Sequence, residues 1–230
     1  MVKIIPRVAV IGGTGYLASL LKNQKNLKKF KYIFFSRKKN SKNYINTSIL
    51  NKKKNILKNF NYIIHLAGPN QDELKKNKNL IKKKIGFTEA VCKICLNCNI
   101  KLIYISSLQV YKDYGKYDIN LKSKINFKNV YSKSHYETEK LILAHFLNNK
   151  KMFTVLRMGN VFGFKKYEHL SHINDNLIHN LCNIALKKKK IIIHNGSIQR
   201  NFVPSKIFIQ IVNYIIEKNL FNNSIINISY

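Results

Sequence analysis

The stretch VIGGTGYLASLL (residues 10–21) decides how this chain folds. It sets Gly12, Gly13 and Gly15 directly after an apolar run, RVAVI (7–11), with Ala18 three residues beyond Gly15 and a helical pattern following. Glycines let a backbone turn tightly and come close to a pyrophosphate, and the helix N-terminus offers unpaired N–H groups to the anion. Alanine is small enough for the last position of such a turn. A glycine-rich turn by itself is a weak signal. Its strand–turn–helix setting at the start of the chain makes it a dinucleotide-binding turn.

Outward from that turn, short apolar runs alternate with longer helical patterns. The expected strands are RVAVI (7–11), KYIFF (31–35), YIIHL (62–66), KLIYIS (101–106), FTVLR (153–157) and KIIIHN (190–195). Nearly continuous apolar runs separated by helices predict a parallel sheet covered on both faces. No internal repeat or flexible linker interrupts the pattern. With 230 residues, 45% of them hydrophobic, the chain can bury a substantial core.

The end of the second run bears on which dinucleotide binds. An NAD site offers an acid there, about 20 residues past the glycines, to the ribose 2′-OH. This chain instead reads FFSRKKN (34–40), with Ser36 and Arg37 where the acid would sit. A hydroxyl and a guanidinium suit a 2′-phosphate, so NADP is favoured over NAD. The missing acid carries most of this argument, because a chain so basic places Lys or Arg in most loops.

The formal net charge of +32 could signal nucleic-acid binding. The lysines, however, are scattered from NQKNLKKFK (23–31) to LKKKKI (186–191), with no nucleic-acid-binding module around them. Asn and Ile are abundant as well, which compositional drift explains and selection for charge does not. No specific nucleic acid is expected as a partner. No apolar run approaches the roughly 20 residues of a membrane span, and the N-terminus runs straight into a strand without room for a signal peptide. A cytoplasmic protein is the expectation. Cys92, Cys95 and Cys98 in CKICLNC lie on a predicted helix, the outer two about 9 Å apart along its axis, and Cys182 is remote. They read as small buried residues, and no metal is expected.

Further motifs follow in order: IIHLAGPN (63–70), YISSLQVY (104–111), YSKSHYETEKLI (131–142), LRMGNVFG (156–163) and SIQRNFVPSKI (197–207). Together with the glycine turn they make the chain resemble, over nearly its whole length, the extended short-chain dehydrogenase/reductase family. These are NAD(P)-dependent epimerases and dehydratases of nucleotide sugars. The resemblance implies a doubly wound Rossmann sheet over residues 1–158 and a reduced substrate lobe over 159–230, whose strands return to the sheet. It also assigns roles. Gly12, Gly15, Tyr16 and Leu17 would hold the pyrophosphate, and Leu66, Ala67 and Gly68 would line the adenine and ribose side. Ser107 would hydrogen-bond the reacting sugar oxygen, and Asn160 and Arg200 would hold the sugar nucleotide. The helices over 87–98 and 131–147 would form a homodimer face.

The family's Tyr-x-x-x-Lys pattern has two candidates here, Tyr131 with His135 and Tyr136 with Lys140. A Glu eight residues after the tyrosine accompanies the pattern, and Glu139 gives that spacing to Tyr131. Tyr136 lies about 140° further around the helix, so the two cannot both face the cofactor. Tyr131 takes the catalytic position, and Tyr136 with Lys140 becomes a surface or dimer-face pair. His135 then stands where the family has lysine, as a catalytic and cofactor-binding candidate that partial protonation would make cationic. Two further departures appear. KKIGFTEA (83–90) places Lys83 and Phe87 on the family's Asn-x-x-Gly-Thr pattern, and PSK replaces the acidic pair expected after RNFV. SIINISY (224–230) reads as a late strand back to the sheet, after which family members normally continue. The expected activity is on a nucleotide-linked sugar, by epimerisation, dehydration or keto reduction, in polysaccharide biosynthesis. The alternative is a catalytically impaired dinucleotide-binding homologue acting as sensor or partner subunit.

Overall fold

The computed structural model describes residues 5–24, 29–37, 44–48, 57–112, 114–115, 119–127, 129–149, 152–163, 177–193, 196–197 and 199–229. Nine strands and six helices are assigned among them. The strands are β1 (Arg7–Ile11), β2 (Lys31–Ser36), β3 (Ile45–Asn46), β4 (Tyr62–His65), β5 (Lys101–Ser107), β6 (Phe153–Met158), β7 (Asn160–Phe162), β8 (Phe202–Pro204) and β9 (Ser224–Ile228). The helices are α1 (Tyr16–Lys22), α2 (Gln71–Lys76), α3 (Leu80–Cys98), α4 (Val130–Phe146), α5 (Leu177–Lys188) and α6 (Ser205–Glu217). Seven strands form one parallel sheet in the order β3-β2-β1-β4-β5-β6-β9, while β7 and β8 pair separately.

Alternation along the strands divides the core in two. Val8, Val10, Ile64, Ile103, Ile105 and Leu156 face Leu21 of α1 and Phe208, Val212 and Ile215 of α6. Ala9, Ile11, Ile63, Leu102, Tyr104 and Val155 face Val91, Cys92 and Cys95 of α3 and Ile142 and Phe146 of α4. Both faces are covered, which is why the strands read as continuous apolar runs. The sheet is the doubly wound one expected, and its order reverses between β1 and β4. Ligands of such sheets bind at the carboxyl ends of the strands beside that reversal.

Five of the six expected runs are strands. KIIIHN is not: α5 ends at Lys188, Lys189 turns with φ of 52°, and Ile191, Ile192 and Ile193 are 44%, 64% and 69% exposed without a strand assignment. Residues 194 and 195 lie outside the described residues. The sheet position next to β6 is taken by β9, paired from Thr154–Ser224 to Met158–Ile228, so that run has no neighbour to join. The short strands β3, β7 and β8 were not expected, since two or three residues carry no readable period.

Two local devices set the site. Asn129 begins α4 with a capping box, its Oδ1 accepting from Ser132 N at 2.8 Å and Ser132 Oγ accepting from Asn129 N at 3.4 Å, which fixes Tyr131 in the first turn. Asn99 ends α3 in the left-handed region (φ of 51°), donating to the carbonyls of Cys95 and Leu96. Cys92 and Cys95 are buried, and no His, Cys, Asp or Glu cluster among the described residues could hold a metal. No helix among them is long and apolar enough to cross a membrane.

Candidate active site

At the reversal of the sheet, Gly12 has φ of 96°, and a Cβ built on it would lie 2.8 Å from Ala67 N and 2.9 Å from Leu66 C. A side chain there would drive the turn off the loop that follows β4. The turn is closed by Gly12 N and Gly13 N donating to Phe35 O, at 3.0 and 2.7 Å, and by Gly15 N donating to Gly12 O. Gly15 is the N-cap of α1 and has no capping side chain, so the first N–H groups of that helix stay free for an anion. Tyr16 donates its hydroxyl to Gly163 O at 3.2 Å, and burial pushes its phenol up to about 12. Leu17 packs against the core, leaving the backbone at 16–17 to serve an anion. At the end of β2 the two cofactor candidates separate: Ser36 is buried and Arg37 is exposed.

On α4, Tyr131 faces inward and Tyr136 does not. Tyr131 and His135 stack edge to face with centroids 4.6 Å apart, and Ser134, His135, Thr138 and Glu139 are buried. Tyr136 turns away to pack on Leu108, Val110 and Tyr111 and against the Phe127 ring at 5.2 Å. Its expected partner Lys140 binds Glu137 at 3.0 Å and lies 5.4 Å from the Tyr136 ring centroid. Among the described residues the Tyr131 hydroxyl makes no hydrogen bond. Burial first, and then the neighbouring Tyr114, push its phenol up to about 12.

His135 differs from its expected part. Its Nδ1 sits 2.9 Å from the Tyr104 hydroxyl, and burial followed by the nearby charges of Lys84 and His65 hold it well below its ordinary value. The imidazole is therefore neutral at neutral pH, and partial protonation is not available to lower the phenol. The cation of this region is Lys84, on α3. It is 5% exposed, its Nζ donates to Ser134 Oγ at 3.2 Å, and it lies 5.9 Å from the Tyr104 ring centroid. Burial lowers it to about 7, with Glu139 acting in the opposite sense.

Of the adjacent lysines on α3, only Lys84 faces inward. Lys83 is exposed, whereas Lys84 and Thr88 are buried and Thr88 Oγ1 donates to Lys84 O at 2.9 Å. Lys84 and Thr88 are therefore the pair four residues apart that faces inward here. Lys84, Thr88, Val91, Cys92 and Cys95 form one inward stripe, a periodicity that could have revealed the lysine from sequence.

Beside these lies a second polar group. Ser107, at the end of β5, accepts from Gln109 N at 3.2 Å and so caps the turn Leu108–Val110. Its neighbour Ser106 donates to Glu139, which also grips Arg157 at 2.7–3.2 Å. Arg157 Nη1 donates to the Tyr111 hydroxyl at 2.7 Å. Asn160 and Arg200, 40 residues apart in sequence, converge on Tyr114, a residue not singled out in the sequence. Asn160 Nδ2 donates to its hydroxyl at 2.7 Å, and the Arg200 guanidinium lies 5.8 Å from its ring centroid. Arg200 is exposed, as a group that meets a ligand has to be.

A doubly wound sheet with a glycine turn at its reversal, and a half-buried tyrosine beside a buried histidine and lysine, mark a dinucleotide-binding fold. The family model for the NAD dependent epimerase/dehydratase family matches residues 8–229, and the chain belongs to that family. Among solved structures it is similar to the UDP-glucuronic acid 4-epimerase of Bacillus cereus in complex with UDP-glucuronic acid and NAD. There the TM-score is 0.79 at 19% identity, covering 97% of this chain and 77% of that one. The UDP-N-acetylglucosamine 4-epimerase of Bacillus cereus gives 0.77 at 20% identity, covering 97% and 75%. The dTDP-glucose 4,6-dehydratase of Bacillus anthracis in complex with NAD gives 0.78 at 18%, also covering 97% and 75%. At these identities the likeness establishes the fold. No curated protein matches the chain in sequence.

Proposed function

We propose that the chain is an NAD(P)-dependent enzyme that epimerises, dehydrates or reduces a nucleotide-linked sugar. The observation that carries this reading is the position of Tyr131. It stands in the first turn of α4, at the carboxyl edge of the sheet, next to the Tyr114–Asn160–Arg200 group. The uncapped first turn of α1 after Gly15 and the close approach of Gly12 to Ala67 suit a dinucleotide's pyrophosphate. When bound, NAD(P) supplies a hydride acceptor and donor at the nicotinamide ring.

The chain's own residues do the rest. Tyr131 takes the proton of a sugar hydroxyl and returns it, Ser107 holds the reacting oxygen, and Asn160 and Arg200 hold the phosphates of the sugar nucleotide. Residues 1–158 serve as the cofactor domain and 159–230 as the substrate lobe. Arg37, exposed where an acid would favour NAD, gives NADP the preference. Leu143 of α4 is 37% exposed and Leu147 80%, which supports a homodimer through α3 and α4. The setting is cytoplasmic sugar-nucleotide metabolism that feeds polysaccharide synthesis.

A panel of UDP- and dTDP-sugars, incubated with the protein and either NAD or NADP, tests the reading. Turnover that Tyr131→Phe abolishes, with cofactor binding kept, is the expected result. Cofactor binding without turnover on any sugar would instead leave a dinucleotide-binding homologue. One observation favours that second reading: the phenol is pushed up to about 12, and its histidine neighbour is neutral.

A further inference from the structure

Lys84 is a buried ammonium with an incomplete set of partners. Of its three N–H donors one reaches Ser134 Oγ, and it makes no ion pair among the described residues. Its side chain runs beneath the loop after β4. A Cβ built on Gly68 would lie 3.2 Å from Lys84 Cε and 3.6 Å from Nζ, and Gly68 itself is exposed at the carboxyl edge of the sheet. A buried, unpaired lysine is costly, and such groups are kept where a ligand completes them.

We propose that Lys84 is the cation of the dinucleotide site, an ammonium carried from α3 to the underside of Gly68 to meet the negatively charged cofactor. The inference rests on the dinucleotide site described above. The positive charge thus reaches the site from α3, while α4 contributes the neutral His135 across the seam.

The groups that face Lys84 define how it titrates. They are His65 on β4, Tyr104 on β5, and Ser134, His135 and Glu139 on α4, the last held by Arg157 of β6. From α2 the buried residue is Leu74, and Glu73 is engaged in the capping box with Asn70. In this setting burial brings Lys84 to about 7, so its charge is lost near neutrality when no anion is bound. A ligand that prefers the protonated form raises that value, and its affinity must fall as pH rises above about 7.

The test is calorimetric titration of NADH, which has no group titrating between pH 6 and 9, at constant ionic strength. Wild-type affinity should fall about tenfold or more from pH 6 to pH 9. Lys84→Met, an unbranched apolar replacement, should bind about tenfold more weakly at pH 6 and show no such slope. Lys84→Arg, always charged, should bind at pH 9 as it does at pH 6. A purely structural lysine would change thermal stability and leave the slope in place. Wild-type affinity that is flat with pH, or a Lys84→Met protein with the wild-type profile, would overturn the proposal. NADH bound with the expected slope but no turnover on any sugar sinks the catalytic reading and upholds this one. Binding of neither NADH nor NADPH at any pH overturns both.

Discussion

The hydroxyl of Tyr104 and Nδ1 of His135 lie 2.9 Å apart in the seam between β5 and α4, and Lys84 reaches the same seam from α3. This changes what a lysine at position 135 would do. His135→Lys places a second ammonium in a buried space that already holds one, and like charges at such separations repel by several kcal/mol at intermediate dielectric. The single variant should unfold at lower temperature and turn over no faster than wild type. Combining it with Lys84→Asn, which leaves one cation in the seam, should recover stability and rate. Thermal unfolding and turnover of the two variants check this. A His135→Lys protein that is both stable and faster would count against it.

The same cluster predicts how stability varies with pH. His65 is held at about 3 by burial and then by Lys84, against an ordinary 6.5. Between those values the unfolded chain binds a proton that the native chain does not, so stability is lost as pH falls from 6.5 toward 3. Lys84, lowered to about 7 from 10.5, works in the same direction in a higher window: stability rises as pH climbs from 7. The ceiling on that rise is on the order of 5 kcal/mol. Tyr16, Tyr32 and Tyr131, all raised to about 12, begin to offset it above pH 10. Urea midpoints between pH 7 and 9.5 should therefore increase for wild type and stay level for Lys84→Met. Parallel slopes for the two proteins would show that Lys84 is not the group responsible.

The glycine turn, six strands of the sheet and the inward tyrosine were legible because each follows a strong local rule: a turn at positive φ, a continuous apolar run, a helical spacing. Lys84 was not, because the Asn-x-x-Gly-Thr spacing falls on Lys83 and only the buried stripe Lys84, Thr88, Val91 marks its neighbour. Tyr114 was invisible for another reason. Its partners Asn160 and Arg200 come from β7 and the segment before β8, and no local pattern announces a meeting of such distant segments. That His135 is held neutral was not legible either. Its protonation depends on burial and on a lysine from another helix, neither of which spacing reveals.

Glu139 and Arg157 form a buried ion pair, and Ser106 and Tyr111 complete their hydrogen bonds. Removing one partner of such a pair leaves the other charge uncompensated, which typically costs about 3–5 kcal/mol. Glu139→Gln keeps the shape and loses the charge, so Arg157 is stranded and unfolding free energy should drop by about that much. Glu139→Gln with Arg157→Met should be more stable than Glu139→Gln alone. Denaturant melts of both proteins decide it, and equal stability of Glu139→Gln and wild type would mean that the pair is solvated in solution.

Tyr114 offers a way to separate substrate binding from cofactor binding. Its hydroxyl accepts from Asn160 Nδ2 and its ring lies under the Arg200 guanidinium, so it holds two proposed substrate contacts in one place. Tyr114→Phe keeps the ring and releases Asn160, a loss of one neutral hydrogen bond worth about 1 kcal/mol. If those contacts bind substrate equally well before and during reaction, KM should rise several-fold with kcat little changed. Tyr114→Ala also removes the surface beneath Arg200 and should raise KM further. If the dinucleotide binds at Gly12 and Gly15, as proposed, it should keep its affinity in both variants. Initial-rate kinetics with NADH titrations on the same preparations separate the cases. A Tyr114→Phe protein with lowered kcat and unchanged KM would place Tyr114 with the reacting group of Tyr131, whose phenol it already helps to raise, rather than with the substrate's phosphates.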